Sequence, residues 1–303
     1  MALVLDSLPR GGRVAILRLR SLGDCVLTTP ALQLLKRHRP GLRVAVAVEE
    51  RFRAIFEGNS DIDEILAPSP AALRRFRPEL CLNLHGGARS AWMTALSGAR
   101  YRAGFGHYRR RFVYNVTIPR AQEILEVERT VHTAEHLASA MFYLGVPRVE
   151  IPRAKLAAGG PIERSKPYAV IHPVAAAPHK TWPAASFLAI AAHLQGSGLE
   201  PVFIGGPGDD LSAFEAHRTI AGAPLARIKS LLAAASLFIG NDSGPAHMAA
   251  AFGLPVVVIF GSSNPAIWGP WRTAGEALTA PEGIAGVTVA QALDALSRVR
   301  VHA

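Results

Sequence analysis

The chain begins the same construction twice. Val14 to Leu19 is an apolar run of strand length, Ser21 to Asp24 a turn, and Val26 to Arg37 a helical pattern. That pattern stops at Arg39-Pro40-Gly41, because proline cannot continue the hydrogen-bond ladder and glycine accepts the backbone that leaves a helix. Val44–Val48 and Leu80–Leu84 read as further strands, the second followed by His85-Gly86-Gly87 and a helix through Met93, and residues 130–144 read as one more helix. After a stretch from Ile151 to Lys166, rich in Pro, Gly, Ala and charge and read as a linker, the alternation restarts. Strands are expected at Tyr168–His172, Pro201–Ile204, Leu237–Ile239 and Pro255–Phe260, with helices at Pro183–Leu194 and Pro245–Phe252. Apolar strands alternating with helices imply a parallel sheet covered on both faces. The expected fold is therefore α/β, two Rossmann-like halves facing across a cleft, with residues 1–160 as the first domain and 161–303 as the second. A chain of 303 residues is long for one core and ample for two.

Composition narrows the setting. No apolar run approaches the roughly 20 residues that span a bilayer, and Met1 to Arg20 lacks a signal-peptide core, so a cytoplasmic location is expected. Cys25 and Cys81 stand far apart and fit no metal or redox spacing. Charge is divided unevenly: residues 1–160 hold 24 of the 33 Lys and Arg and 14 of the 23 acids, whereas 161–303 hold 9 of each. The whole excess of +10 lies in the first half, which suits a polyanion such as nucleic acid, a phosphorylated glycolipid or an acidic membrane surface. An arginine-rich solvated surface is the plainer account.

Ligands of open α/β sheets sit beyond the carboxyl ends of strands, and the unusual residues fall there. Gly240-Asn-Asp-Ser-Gly-Pro-Ala-His247 follows a strand and opens a helix with Pro245 in its first turn. The free N–H groups and positive dipole end of such a turn bind anions, and Ser243 and Gly244 are small enough to admit a diphosphate. His247 adds a donor; an ordinary helix capped by Asp242 or Ser243 explains the same residues. Lys180, in Ala177-Pro-His-Lys-Thr-Trp-Pro183, is placed to neutralise a departing diphosphate, or is simply a solvated loop lysine. Gly205-Gly206-Pro207-Gly208 is a permissive loop whose neighbours Asp209 and Asp210 suit either ribose hydroxyls or a helix cap. Asp24, the acid of the first strand-to-helix turn, is either a cap or a base that takes a proton from an attacking hydroxyl. Basic residues from Gly98 to Arg111, with Arg102, Arg109 and Arg110 among them, suit phosphates or carboxylates, while Arg129, His132 and His136 share helical spacing.

Taken together, these motifs resemble glycosyltransferase family 9, the ADP-heptose:lipopolysaccharide heptosyltransferases. The resemblance is carried by Ile16-Leu-Arg-Leu-Arg-Ser-Leu-Gly-Asp-Cys-Val-Leu-Thr-Thr-Pro-Ala-Leu32, by His172-Pro with His179-Lys-Thr-Trp-Pro183, by Ile204-Gly-Gly-Pro-Gly-Asp209, and by Ile239-Gly-Asn-Asp-Ser-Gly-Pro-Ala-His-Met-Ala-Ala250. It implies a GT-B fold and metal-independent inverting transfer from a nucleotide-sugar, ADP-heptose, to a lipopolysaccharide-core or related anionic glycolipid. The donor is then a substrate, with no separate cofactor and no metal, and nucleic acid is not a partner. The resemblance makes Asp24 the catalytic base. It places Lys180, Thr181, Asp242, Ser243, Gly244, His247, Gly206 and Asp209 at the donor, and Arg20, Arg102, Arg109 and Arg110 at the acceptor. The acceptor would lie at the inner face of the cytoplasmic membrane, with peripheral membrane contact. Competing readings are a nucleotide-sugar epimerase or hydrolase on the same scaffold, a non-catalytic nucleotide-sugar or glycolipid-binding module, and an NAD(P)-dependent oxidoreductase. The last lacks a Gly-x-Gly-x-x-Gly after its first strand.

Overall fold

The computed structural model describes residues 3–158, 160, 166–175 and 177–299. The chain divides into two compact units, Met1–Ala157 and Ala158–Ala303. Among the described residues of the first, six parallel strands form one sheet: β1 (Arg13–Leu17), β2 (Arg43–Ala47), β3 (Glu64–Leu66), β4 (Leu80–Asn83), β5 (Tyr101–Phe105) and β6 (Val116–Ile118). The second repeats the plan with β7 (Tyr168–His172), β8 (Glu200–Gly205), β9 (Arg218–Ala221), β10 (Leu237–Asn241), β11 (Val256–Ile259) and β12 (Gly275–Leu278). The orders are β3-β2-β1-β4-β5-β6 and β12-β11-β10-β7-β8-β9. Each is the doubly wound, Rossmann-type order, which reverses between its first and fourth strands, here β1/β4 and β7/β10.

The central strands are those the sequence announces. β4, β7, β10 and β11 are buried at every position, as expected of strands covered on both faces. Five strands escape the hydrophobic pattern. Four of these, β3, β6, β9 and β12, lie at sheet edges with exposed positions, where one side of the ladder meets no neighbour. The fifth, β5, runs through the basic segment that begins at Gly98. Its first two residues, Tyr101 and Arg102, are only half-buried, and Ala103 to Phe105 are buried.

The first helix, Leu22–His38, starts earlier than its apolar pattern suggests and takes Asp24 into its first turn. Pro30 lies inside it and has no N–H for the Val26 carbonyl. The Thr29 hydroxyl donates to that carbonyl at 2.8 Å instead, and accepts from the Lys155 N–H at 2.9 Å. Ile151 and Ala154 are buried, so the first part of the expected linker packs as part of the first unit. Residues 159 and 161–165, the rest of it apart from Gly160 and Lys166, lie outside the described residues. No helix among the described residues is long and apolar enough to cross a membrane.

Gly240 on β10 lets two strands approach at the second reversal. A Cβ there would lie 2.7 Å from the His172 carbonyl oxygen and 3.0 Å from the His172 Cβ. Gly240→Ala is expected to destabilise the protein by about 1–3 kcal/mol, because backbone rather than a yielding side chain must move; equilibrium denaturation with urea measures this.

Candidate functional site

In the first unit the reversal between β1 and β4 gathers charge. Arg18, the residue after β1, is buried, and its guanidinium donates to the Leu84 carbonyl beyond β4. The same guanidinium stands 3.5 Å from Asp24 Oδ1, while the Ser21 hydroxyl donates to Asp24 Oδ2 at 3.0 Å. Ser21 holds the N-cap position yet makes no cap with its side chain. The Asp24 carboxylate is thus oriented by an arginine and a hydroxyl rather than spent on backbone N–H groups, and its side chain keeps 23% exposure. Asp24 is therefore not the helix cap that its position in the sequence allowed.

His85, Tyr108 and His136 are among the side chains that feel this carboxylate. Burial, then the positive fields of Arg18 and Arg20, hold the His85 imidazole below its ordinary 6.5, against the pull of Asp24. His85 Nδ1 is buried without a hydrogen-bond partner, so one polar atom remains open at the site. Burial pushes the Tyr108 hydroxyl upward, and burial followed by His107 and Arg18 lowers His136 to about 4. His136 stacks on Phe105 at 4.1 Å and lies 5.4 Å from the His107 ring. Both histidines line a cavity of about 920 Å³ with Arg120, Gln122, Glu123 and Glu128.

The basic residues expected here part company. Arg20 is exposed beside His85. Arg102 is committed to the fold, donating to the Val113 carbonyl at 3.1 Å and the Ala99 carbonyl at 3.4 Å. Arg109 is exposed and Arg110 half-buried on the loop after β5. Of the helically spaced trio, only His136 joins the site: Arg129 pairs with Glu135 at 2.6 Å, and His132 Nδ1 caps its helix by accepting from the Ala134 N–H. His85, His107 and Tyr108 were missed because nothing local marks them. Arg18 was passed over for Arg20, although Arg18 stands nearer the end of the buried strand.

In the second unit the loops after β7 and β10 meet. The Ser243 hydroxyl lies 3.0 Å from His172 Nδ1 and so leaves the helix Gly244–Phe252 without a side-chain cap. Neither Ser243 nor Asp242 is shown capping this first turn, whose N–H groups stay oriented for an anion. Lys180 Nζ donates to Ser263 Oγ at 2.8 Å. Burial raises the Asp242 carboxyl, and the Ser263 hydrogen bond and the Lys180 charge oppose the rise. Lys180, Ser263 and Asp242 are thus neighbours, and Ser263 is a member the sequence did not reveal. Thr181 spends its hydroxyl on the Ala177 carbonyl at 3.0 Å, and His247 is buried within the helix. Asp209 accepts from the Gly206 N–H at 2.7 Å and closes that turn, while Asp210 accepts from the Ser212 N–H at 2.9 Å. Among the described residues no group of three or more His, Cys, Asp or Glu is arranged to hold a metal ion.

A family profile described as "Glycosyltransferase family 9 (heptosyltransferase)" matches residues 71–286. Lipopolysaccharide heptosyltransferase 3 of Escherichia coli is 27% identical over 288 residues, covering 82% of this chain and 83% of its own. A family 9 glycosyltransferase from Veillonella parvula DSM 2008 superposes with a TM-score of 0.82 at 21% identity, covering 96% of this chain and 98% of that one. The E. coli heptosyltransferase WaaC, solved with ADP, gives a TM-score of 0.78 at 18% identity over 94% and 99% of the two chains. The fold is thus the GT-B fold of these structures.

His172 gives the second unit a pH dependence. Burial lowers it from 6.5 to about 4, with Asp209 opposing. Above pH 6.5 it is neutral whether folded or unfolded, so it contributes no slope. Between 6.5 and about 4 the unfolded chain binds a proton that the folded chain refuses, and stability falls with pH by a few kcal/mol at most. His172→Gln is expected to flatten that part of the curve, read from urea midpoints at stepped pH.

Proposed function

Because the chain belongs to glycosyltransferase family 9, we propose that it transfers heptose from an ADP-linked donor to an anionic glycolipid of the lipopolysaccharide-core class. The first unit supplies the base and the acceptor contacts, and the second supplies the donor contacts. One observation carries the reading: the Asp24 carboxylate, held by Arg18 and Ser21 at the end of β1, stays partly exposed. A carboxylate engaged on one side and open on the other can accept a proton without first being released from the fold. It takes the proton of the acceptor hydroxyl as that oxygen bonds to the anomeric carbon. The bond from that carbon to the diphosphate breaks on the opposite face, so configuration inverts and ADP departs with the electron pair.

Charge on the leaving diphosphate is met by Lys180 and by the N–H groups at the start of the helix Gly244–Phe252. Ser263 and Asp242 hold the ammonium near that helix end, and the His172–Ser243 contact fixes the turn. These groups take the place a divalent cation fills in other transferases, which supports metal-independent transfer. Support for ADP comes from the relative solved with that nucleotide. The excess positive charge of the first half suits a phosphorylated or carboxylated acceptor.

Asp24→Asn is expected to lower turnover by about 10²–10⁴-fold, the range of one general base, while ADP binding measured by calorimetry stays unchanged. Lys180→Ala should weaken ADP binding roughly ten- to hundredfold, as expected for a lost charged hydrogen bond, and slow turnover as well. Both assays are run with ADP-heptose and a deacylated core acceptor, with and without a chelator. Normal turnover by Asp24→Asn removes the base assignment. Stabilisation by UDP or GDP in preference to ADP removes the donor assignment, and donor consumption without acceptor favours a hydrolase or epimerase.

A further inference from the structure

The loop that brings His107 and Tyr108 toward the surroundings of Asp24 turns outward at the next residues. Arg109, Arg110 and Arg111 have no acidic partner among the described residues, and Phe112 follows them at 72% exposure. The Phe112 ring meets Trp92 edge to face at 6.3 Å, and Trp92 is itself 50% exposed. Leu96, four residues beyond Trp92 and so on the same helical face, is 44% exposed. These three make up half of the large apolar side chains exposed among the described residues. Arg74 reaches the rim of the patch by donating to the Leu96 carbonyl at 2.8 Å.

The patch is anchored rather than loose. Ala91, Val113 and Tyr114 form a small buried cluster beneath it, with Ala95 and Tyr108 packed against them. The same Tyr114 hydroxyl accepts from Asn83 Nδ2 at 2.8 Å. One packed segment therefore joins Tyr108, which feels the Asp24 charge, to Phe112 at the surface. Aromatic and aliphatic groups ringed by unpaired guanidinium groups match a bilayer interface, where rings sit at headgroup depth and cations meet anionic lipid. Three apolar side chains are few for the core of a protein–protein interface, and their cationic rim favours an anionic surface.

We propose that Trp92, Leu96 and Phe112 enter the interfacial zone of an anionic phospholipid bilayer while Arg74 and Arg109–Arg111 contact its headgroups. This docks the first unit with the His107–Tyr108 loop at the lipid surface. The inference deepens the proposed function and rests on it only for its purpose, the delivery of a lipid-borne acceptor.

Flotation of the full chain tests it, with vesicles of phosphatidylcholine alone and of phosphatidylcholine with phosphatidylglycerol in equal parts. Binding is expected only to the phosphatidylglycerol vesicles and should weaken as salt rises. The double variant Trp92→Ser/Phe112→Ser should lose about tenfold in partition with an unchanged thermal midpoint, while Val149→Ser, altering an exposed side chain elsewhere, should bind as the parent does. Trp92→Phe should keep binding but lose tryptophan quenching by brominated lipid. Binding to neither vesicle, equal binding to both, parental partition of the double variant, or quenching that persists in Trp92→Phe would each overturn the proposal. The vesicles contain neither donor nor acceptor, so vesicle binding without transfer activity counts against the proposed function alone.

Discussion

A buried asparagine at the end of the fourth strand holds each functional loop cluster in place. Reversing the strand order leaves a gap at the carboxyl edge, and the loops around it present backbone groups that no ladder satisfies. In the first unit Asn83 Oδ1 accepts from the N–H groups of His85 and Gly86, while its Nδ2 donates to Ser90 and Tyr114. In the second, Asn241 Oδ1 accepts from the Trp182 N–H and its Nδ2 donates to the Pro173 carbonyl. Both side chains are fully buried. An amide in such a place stabilises by satisfying several loop groups together, and each one left unpaired costs about 1–3 kcal/mol. The positions of His85 and of the segment that carries Lys180 both follow from these bonds.

Two buried histidines, one in each unit, illustrate a second constraint. His172 and His136 are both driven to about 4 by burial. At neutral pH each is therefore uncharged, and His172 can share a hydrogen bond with the Ser243 hydroxyl without placing a positive charge in the wall of the site. The cationic work falls to Arg18 and Lys180, which are held by named partners.

The sequence made the central strands legible because a strand covered on both faces must be apolar throughout, and Val14–Leu17 or Val256–Ile259 can hardly be read otherwise. Edge strands such as Arg218–Ala221 obey no such rule, since half of their ladder and much of their surface face water. Asp24 and Ser243 stood out because they occupy turns next to recognisable strands. Ser263 and His85 did not, because their importance comes from what tertiary packing brings beside them: Lys180 lies 83 residues from Ser263 along the chain. Arg102 shows the opposite error, a basic residue in a basic segment whose guanidinium is absorbed by the Val113 and Ala99 carbonyls.

Charge counting along the sequence therefore overstates what is free. Arg18, Arg39 and Arg102 serve carbonyl groups, and Arg51, Arg89 and Arg129 pair with Glu49 and Glu135. At the two strand reversals the balance is closer still: Arg18 faces Asp24, and Lys180 shares Ser263 with Asp242. A site with matched charge exerts little long-range pull, so a field able to attract a distant anion must come from elsewhere on the first unit. The unpaired arginines beside Phe112 meet that requirement, because exposed charges of one sign steer association even where they touch no reacting atom. Orientation within the site and attraction toward it are then carried by different residues, and substitutions in one set need not disturb the other.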